Sequence, residues 1–373
     1  MLHNVYKDYV KFLIMKECKK ILVLSLAGIG DTLMATPLIH ELKINFPNSK
    51  IDVLVMWEGS RNILERNPYI NEIIHFNMIK EGFWKTFTFC NKLRSKEYDL
   101  SVNTYPQGKI QYRIIAKLIN AKLRLSHKTD SWGFIDNLLI NKSAQQDYNS
   151  QFIKNNLNLL GLVNAKKKLK EHNYEIYFKE EELKGARDFI ENNQFKNRIL
   201  IGFHVGTGST KNLALRRWPK ENYALLAKKL LKTNKKIVIL LFGGPEEENS
   251  NKFIKKYVNS DKIKIVETKN IREGAAIIRH CKFFICVDTV LMHIASAVNV
   301  KNLIIIDTPT FNKTVYPYRK KFVLIKNPAI IKDKLEYYKY DGKPIKANDE
   351  EVMRIMKSIS VEKVYSVIKE LLR

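Results

Sequence analysis

Residues 20–37 read KILVLSLAGIGDTLMATP. An unbroken apolar run over 21–26 fits a parallel strand covered on both faces, because a half-exposed strand would alternate with polar residues. Gly28 and Gly30 allow a tight turn off its carboxyl end, and a helix opens at Asp31 or Thr32. Open α/β sheets bind ligands at that edge. The turn lacks the dinucleotide fingerprint, since Leu33 stands where a third glycine is needed, and no Lys-Ser or Lys-Thr follows to make a Walker-type phosphate loop. What remains is a carboxylate, Asp31, beside the backbone N–H groups of a helix N-terminus. A helix cap is the plainer reading and a catalytic carboxylate the sharper one, and the two roles are compatible.

A chain of 373 residues is long for one core and comfortable for two domains. The net charge of +27 is spread along the chain and favours an anionic surface or ligand: phosphorylated sugars, acidic lipid or nucleic acid. Cys18, Cys90, Cys281 and Cys286 fit neither a disulfide framework nor a zinc spacing, which suggests a reducing, cytosolic compartment. No apolar run reaches the ~18 residues of a membrane span, and the N-terminus shows no cleavable signal pattern. Residues 5–20 mix apolar side chains with lysines; a helix capping the domain is expected there, with an anionic bilayer surface as the alternative.

Strands at 21–26, 51–55, 72–76, 99–103 and 122–125 alternate with helices at 33–46, 60–66, 83–95 and 109–120. That spacing predicts parallel crossover units and a sheet between helix layers. Residues 126–150 read as polar and irregular, 151–160 as a helix, and the lysine-rich run 165–171 as an exposed connection. After a helix at 180–192 the alternation restarts. Strands at 199–204, 236–242, 264–266, 283–287 and 302–306 enclose helices at 220–232, 246–258, 271–279 and 291–298. Residues 317–344 read as a loop and 349–372 as a closing helix. The expected architecture is two Rossmann-like, doubly wound α/β domains facing across a cleft: residues 1–172, 173–348, and a C-terminal helix 349–373 with the option of packing back on the first domain.

The second half carries polar strand ends. Strand 199–204 runs through His204 into the turn Val205-Gly206-Thr207-Gly208-Ser209-Thr210, then Arg216-Arg217-Trp218-Pro219. Small residues let N–H groups approach an anion, and arginine supplies a planar fork suited to phosphate. Strand 283–287 ends in Asp288-Thr289, with His293 in the first turn of the following helix, where Asp288 also suits a cap. Phe242-Gly243-Gly244-Pro245-Glu246 is a third such edge, with Glu246 able to accept from a ribose or adenine. These edges suggest an activated donor held by the second domain and reacted against a group on the first. No HExxH, GxSxG or DxD pattern occurs, which favours a transferase whose cationic side chains and helix dipoles stabilise a leaving phosphate.

With these motifs in order, the chain resembles glycosyltransferase family 9, the lipopolysaccharide ADP-heptose heptosyltransferases. Gly28-Ile29-Gly30-Asp31 resembles the family's opening motif, and His204-Val205-Gly206-Thr207 with Arg216-Arg217-Trp218-Pro219 resembles its central one. Phe242-Gly243-Gly244-Pro245, Asp288-Thr289-Val290-Leu291-Met292-His293 and Thr308-Pro309-Thr310 resemble its later segments. The resemblance implies a GT-B fold and an inverting, metal-independent transfer of heptose from ADP-heptose, or a related nucleotide sugar, without a cofactor. Asp31 is implied as general base. His204, Gly206, Thr207, Arg216, Gly243, Asp288, Thr289, Leu291, Met292 and His293 are implied to line the donor site, with Arg216 where the family usually carries a lysine. Gly28, Gly30, Arg61, Lys109 and Arg113, with Arg66 and Arg124, are the corresponding candidates for an anionic glycolipid acceptor such as Kdo-lipid A. Gln107-Gly108-Lys109 resembles a family segment near that face. The implied location is the cytoplasm, peripheral to the inner membrane. Val290 in place of glycine, the long loop 208–215 and Asp307-Thr308 before Pro309 depart from the family pattern and bear on donor choice.

Two other classes fit parts of the sequence. A GT-B sugar-nucleotide epimerase shares the architecture but needs no acceptor. A nucleic-acid binder fits the charge but lacks any binding signature or basic stripe, so nucleic acid is not an expected partner.

Overall fold

The computed structural model describes residues 18–106, 108–208, 210–318, 321–330 and 348–373. Most of the 5–20 segment, Gln107 and part of the 317–344 loop lie outside these. The chain forms two units, divided between Tyr177 and Phe178.

The first unit runs β1 (Lys20–Ser25), α1 (Ile29–Asn45), β2 (Lys50–Val55), α2 (Glu58–Leu64), β3 (Glu72–His75), α3 (Met78–Arg94) and β4 (Leu100–Asn103). It continues through α4 (Ile110–Ile119), β5 (Leu123–Lys128), α5 (Phe134–Leu139), β6 (Lys142–Gln145) and α6 (Phe152–Asn158). Its strands are parallel in the order β3-β2-β1-β4-β5-β6. Ile21, Leu22, Val23 and Leu24 are fully buried at the centre, as a strand covered on both faces requires. Helix α1 passes through Pro37 without breaking. Proline cannot donate to the Leu33 carbonyl, and the Thr36 hydroxyl does so instead at 2.7 Å.

The second unit begins with α7 (Glu180–Asn192), β7 (Ile199–His204), α8 (Lys220–Thr233), β8 (Ile237–Phe242), α9 (Glu248–Val258) and β9 (Ile263–Ile265). Then come α10 (Ile271–Ile278), β10 (Phe283–Cys286), α11 (Val290–Ala297), β11 (Asn302–Ile306), β12 (Val323–Ile325), α12 (Asp349–Lys357) and α13 (Val361–Leu372). Its parallel sheet has the order β12-β11-β10-β7-β8-β9. Both sheets reverse direction beside their first strand, between β1 and β4 in one unit and β7 and β10 in the other. Such a reversal opens a crevice at the strands' carboxyl ends.

Four features differ from the sequence reading. The 126–150 stretch is partly regular, holding the end of β5, α5 and β6. Strand β12 lies within the stretch read as a loop. The closing helix is two, α12 and α13, with the Ser360 hydroxyl capping the second by accepting from the Lys363 N–H. Both belong to the second unit: Met356, Ile359, Val364 and Ile368 enter the core formed with Trp218, Tyr223 and Leu230, and the Trp218 indole donates to the Ile359 carbonyl at 2.9 Å.

The fourth difference is the boundary: the lysine-rich run is exposed, as read, but its backbone is strapped down. Glu41, fully buried on α1, accepts from the N–H groups of Lys168 and Leu169 at 2.8 and 2.9 Å and meets His172 Nε2 at 2.8 Å. Residues 173–177 accordingly stay with the first unit, and the boundary falls after 177 and not after 172.

Candidate active site

In the first unit, Asp31 lies in the first turn of α1, just past the carboxyl end of β1 at the sheet's reversal. Its carboxylate accepts from the Gly28 N–H at 2.7 Å, so the capping geometry is present. The turn is held from beneath by a chain of buried hydroxyls: Ser25 donates to Thr32 at 3.1 Å, and Thr32 to Ser60 at 2.9 Å. Burial pushes the Tyr105 and Tyr112 phenols above their ordinary range, and the Asp31 charge adds to both shifts. Asp31 itself is partly exposed.

In the second unit, the reversal is bridged directly. His204, ending β7, meets Thr289, just beyond β10, at 3.2 Å between Nδ1 and Oγ1. Thr289 Oγ1 also accepts from the Leu291 N–H at 3.0 Å and so caps α11. Burial, with the Arg217 charge adding to it, pushes the His204 imidazole down to about 3; burial lowers His293 to about 4 against the opposing Asp288 charge. Both rings are neutral at pH 7. Arg216, nearly buried, donates from Nη1 to Asp288 at 3.1 Å and to Thr310 at 2.6 Å. Arg217 Nη2 donates to the Thr207 carbonyl at 3.0 Å and lies 3.5 Å from Glu247. Thr207 donates its hydroxyl to the Leu213 carbonyl at 2.7 Å, pinning the loop that follows.

Glu247 is the residue that the sequence reading passed over. Its neighbour Glu246, singled out there, is exposed, whereas Glu247 is buried. It accepts from the Gly244 N–H at 2.9 Å and lies 4.0 Å from His204 Nε2. A Cβ at Gly206 would come within 2.0 Å of its carboxylate, and one at Gly243 within 2.5 Å of its own Cβ. The glycines thus make room for a carboxylate. Burial raises the Glu247 carboxyl above its usual range, although the Gly244 N–H and Arg217 oppose the shift. Its position three residues after Gly244, ahead of an apolar-periodic helix, is a capping-box spacing that marks it in the sequence. Thr310 was quoted only within a motif, and nothing local signals its contact with Arg216.

Three of the candidates are buried and held by partners within their own unit. Arg113 is buried, donates from Nε to Asp136 at 2.5 Å and from Nη1 to the Gly108 carbonyl at 3.1 Å, stacks on Trp132 and lines an open cavity. Met292 is fully buried and its N–H donates to the Thr289 carbonyl at 3.1 Å, so it packs the core of its unit. Arg124 is likewise buried, donating to the Leu139 and Ala121 carbonyls. By contrast Arg61, Arg66 and Lys109 are exposed. Lys109 stands just before the first turn of α4, on the rim of an open cavity of about 710 Å³. Gly30 sits inside the first turn of α1, and Leu291 is mostly buried. Among the described residues, no three His, Cys, Asp or Glu side chains are grouped to hold a metal ion.

Residues 86–339 match the family model described as glycosyltransferase family 9 (heptosyltransferase). The chain is 37% identical over 101 residues to lipopolysaccharide heptosyltransferase 3 of Escherichia coli, a match covering 26% of this chain and 29% of that protein. It is 26% identical over 330 residues to lipooligosaccharide heptosyltransferase 2 of Haemophilus ducreyi, covering 82% of this chain and 88% of the relative. Its fold is similar to that of a family 9 glycosyltransferase from Veillonella parvula, with a TM-score of 0.73, 20% identity and coverage of 95% and 97% of the two chains. It is also similar to the E. coli ADP-heptose lipopolysaccharide heptosyltransferase II, with a TM-score of 0.71, 21% identity and coverage of 95% and 98%. These neighbours place the two-unit α/β architecture in the GT-B class.

Proposed function

The chain belongs to glycosyltransferase family 9, and from that membership we propose that it transfers heptose from ADP-heptose to a lipopolysaccharide-core acceptor carrying Kdo or heptose. The observation that carries the reading is chemical. The reversal of the first sheet holds a partly exposed carboxylate, Asp31, while that of the second gathers neutral imidazole, hydroxyl, carboxylate and guanidinium groups at His204, Thr289, Glu247 and Arg216. The first set suits proton abstraction from a hydroxyl, and the second suits a nucleoside diphosphate.

In the proposed reaction Asp31 accepts the proton of the acceptor hydroxyl as that oxygen bonds to the anomeric carbon. The bond from that carbon to the diphosphate oxygen breaks, and ADP leaves with the electron pair. One displacement inverts the anomeric centre. Arg216, oriented by Asp288 and Thr310, meets charge growing on the diphosphate, and helix N-termini at the strand ends add to it. No cofactor or metal is assigned a role. The acceptor is an anionic glycolipid, with Arg61 and Lys109 as its exposed cationic contacts beside Gly28 and Gly30. The site of action is the cytoplasmic face of the inner membrane, reached peripherally; among the described residues no helix is long and apolar enough to cross a membrane.

Thermal melts with a panel of ADP-, UDP- and GDP-sugars test the donor. A ligand that binds only the folded protein raises the melting temperature by mass action. Selective stabilisation by ADP-heptose is expected, and selective stabilisation by UDP- or GDP-sugars would overturn the donor assignment. Release of an isomerised nucleotide sugar without acceptor would replace transfer by epimerisation.

A further inference from the structure

Helix α5 escaped the sequence reading because its large apolar residues face outward. Phe134, Ile135 and Leu138 are 78%, 58% and 60% exposed. Next to it pack α4 and then α3, and α3 behaves the same way: Ile79, Phe83 and Trp84 are 74%, 72% and 78% exposed. Gly82, at φ +78°, breaks α3 just before the two aromatic rings, which meet edge to face. An apolar groove of about 460 Å³ runs between α3 and α4, and Lys109 and Gln111 belong both to it and to the cavity between α4 and α5. The three helices therefore present one continuous face. Single exposed apolar residues are ordinary, but a contiguous aromatic and aliphatic face marks an interaction surface.

Its charge selects the occupant. Lys80, Lys85, Lys109 and Lys117 are all exposed on the same three-helix layer, and the only acidic residues on these helices are Glu81, paired with Lys85, and Asp136, paired with the buried Arg113. Aromatic and aliphatic side chains beside lysines that outnumber the acidic residues suit the boundary between headgroups and acyl chains of an anionic bilayer. There rings enter the interface while lysine stems reach back to phosphate. We infer that the α3–α4–α5 face of the first unit docks this protein on an anionic phospholipid bilayer, with Phe83 and Trp84 inserted. The inference rests on the reading above, in which the acceptor is a membrane glycolipid, and assigns the contact to a defined surface.

Flotation with phosphatidylglycerol vesicles and with phosphatidylcholine vesicles tests it, using the whole chain and Phe83→Asp/Trp84→Asp. Both positions are exposed, and thermal melts of the variant verify that it folds. The wild type is expected to float with the anionic vesicles, with a blue-shifted emission that Trp84→Phe diminishes, and the double variant to lose at least about 10-fold in vesicle affinity. Transfer to a water-soluble, delipidated acceptor is expected to be unchanged in the variant. The inference is overturned if the wild type ignores anionic vesicles, if the double variant floats equally well, or if sedimentation shows that the face closes a dimer that the double variant splits. Failure of the wild type on the soluble acceptor would count against the transferase reading, whatever the vesicles show.

Discussion

Arg216 Nη1 lies 3.1 Å from Asp288 Oδ2, with both side chains largely buried, and this contact ties the turn entering α8 to the loop leaving β10. Removing one member of such a pair strands the other charge away from water, which commonly costs several kcal/mol. Arg216→Ala is expected to weaken ADP binding at least about 10-fold by calorimetry and to lower stability by about 3 kcal/mol in urea. Unchanged ADP affinity would place the diphosphate elsewhere.

Glu247 and Gly206 form a second coupled pair, since a methyl at 206 would overlap the glutamate side chain. Gly206→Ala is expected to push the carboxylate away from Gly244 and Arg217 and to weaken donor binding about 10-fold. In a Glu247→Ala background the same substitution should cost little more, because residues in contact are non-additive. Additive losses in the double variant would show that Gly206 matters for another reason.

Three buried histidines set an acid limit. Burial lowers His127 to about 4, His204 to about 3 and His293 to about 4. Between about pH 6.5 and 4 the unfolded chain takes up protons that the folded chain refuses, so stability falls as pH falls, by up to about 1.4 kcal/mol per pH unit for each histidine. Glu247, its carboxyl raised, offsets part of this. Urea midpoints at pH 7, 6 and 5 should decline in that order, and a flat series would refute the burial argument.

Glu41 is fully buried, yet the N–H groups of Lys168 and Leu169 and the His172 ring overcome burial and hold its carboxyl below the usual range. Glu41→Ala leaves those donors unpaired. Hydrogen bonds to a charged group contribute about 1.5–3 kcal/mol each, so a loss of at least about 2 kcal/mol and faster proteolysis at 165–172 are expected. A wild-type melting curve and cleavage pattern would show that the strap holds nothing.

Much of this was legible in the sequence because it rests on local rules. The runs at 21–26, 199–204 and 283–287 read as buried parallel strands, and Asp31, His204 and Thr289 stand at or just past their carboxyl ends, at the sheet reversals. What escaped depended on tertiary pairing. Arg113 and Lys109 look alike in sequence, but Asp136 lies 23 residues beyond Arg113 and draws only that one inside. Glu41 holds the backbone of an exposed run 127 residues away, a tie that charge composition does not reveal. Helix α5 was hidden for the opposite reason, since its apolar residues serve no core.

The central claim is that Asp31 takes the acceptor's proton. Turnover of ADP-heptose with a Kdo-bearing acceptor, measured for the wild type and Asp31→Asn alongside ADP affinity, tests it most directly. The amide keeps the side-chain shape but not the basicity. The account predicts a fall in turnover of roughly 10²-fold or more with ADP affinity unchanged. Near-normal turnover in the variant would contradict it and leave Asp31 as the cap of α1.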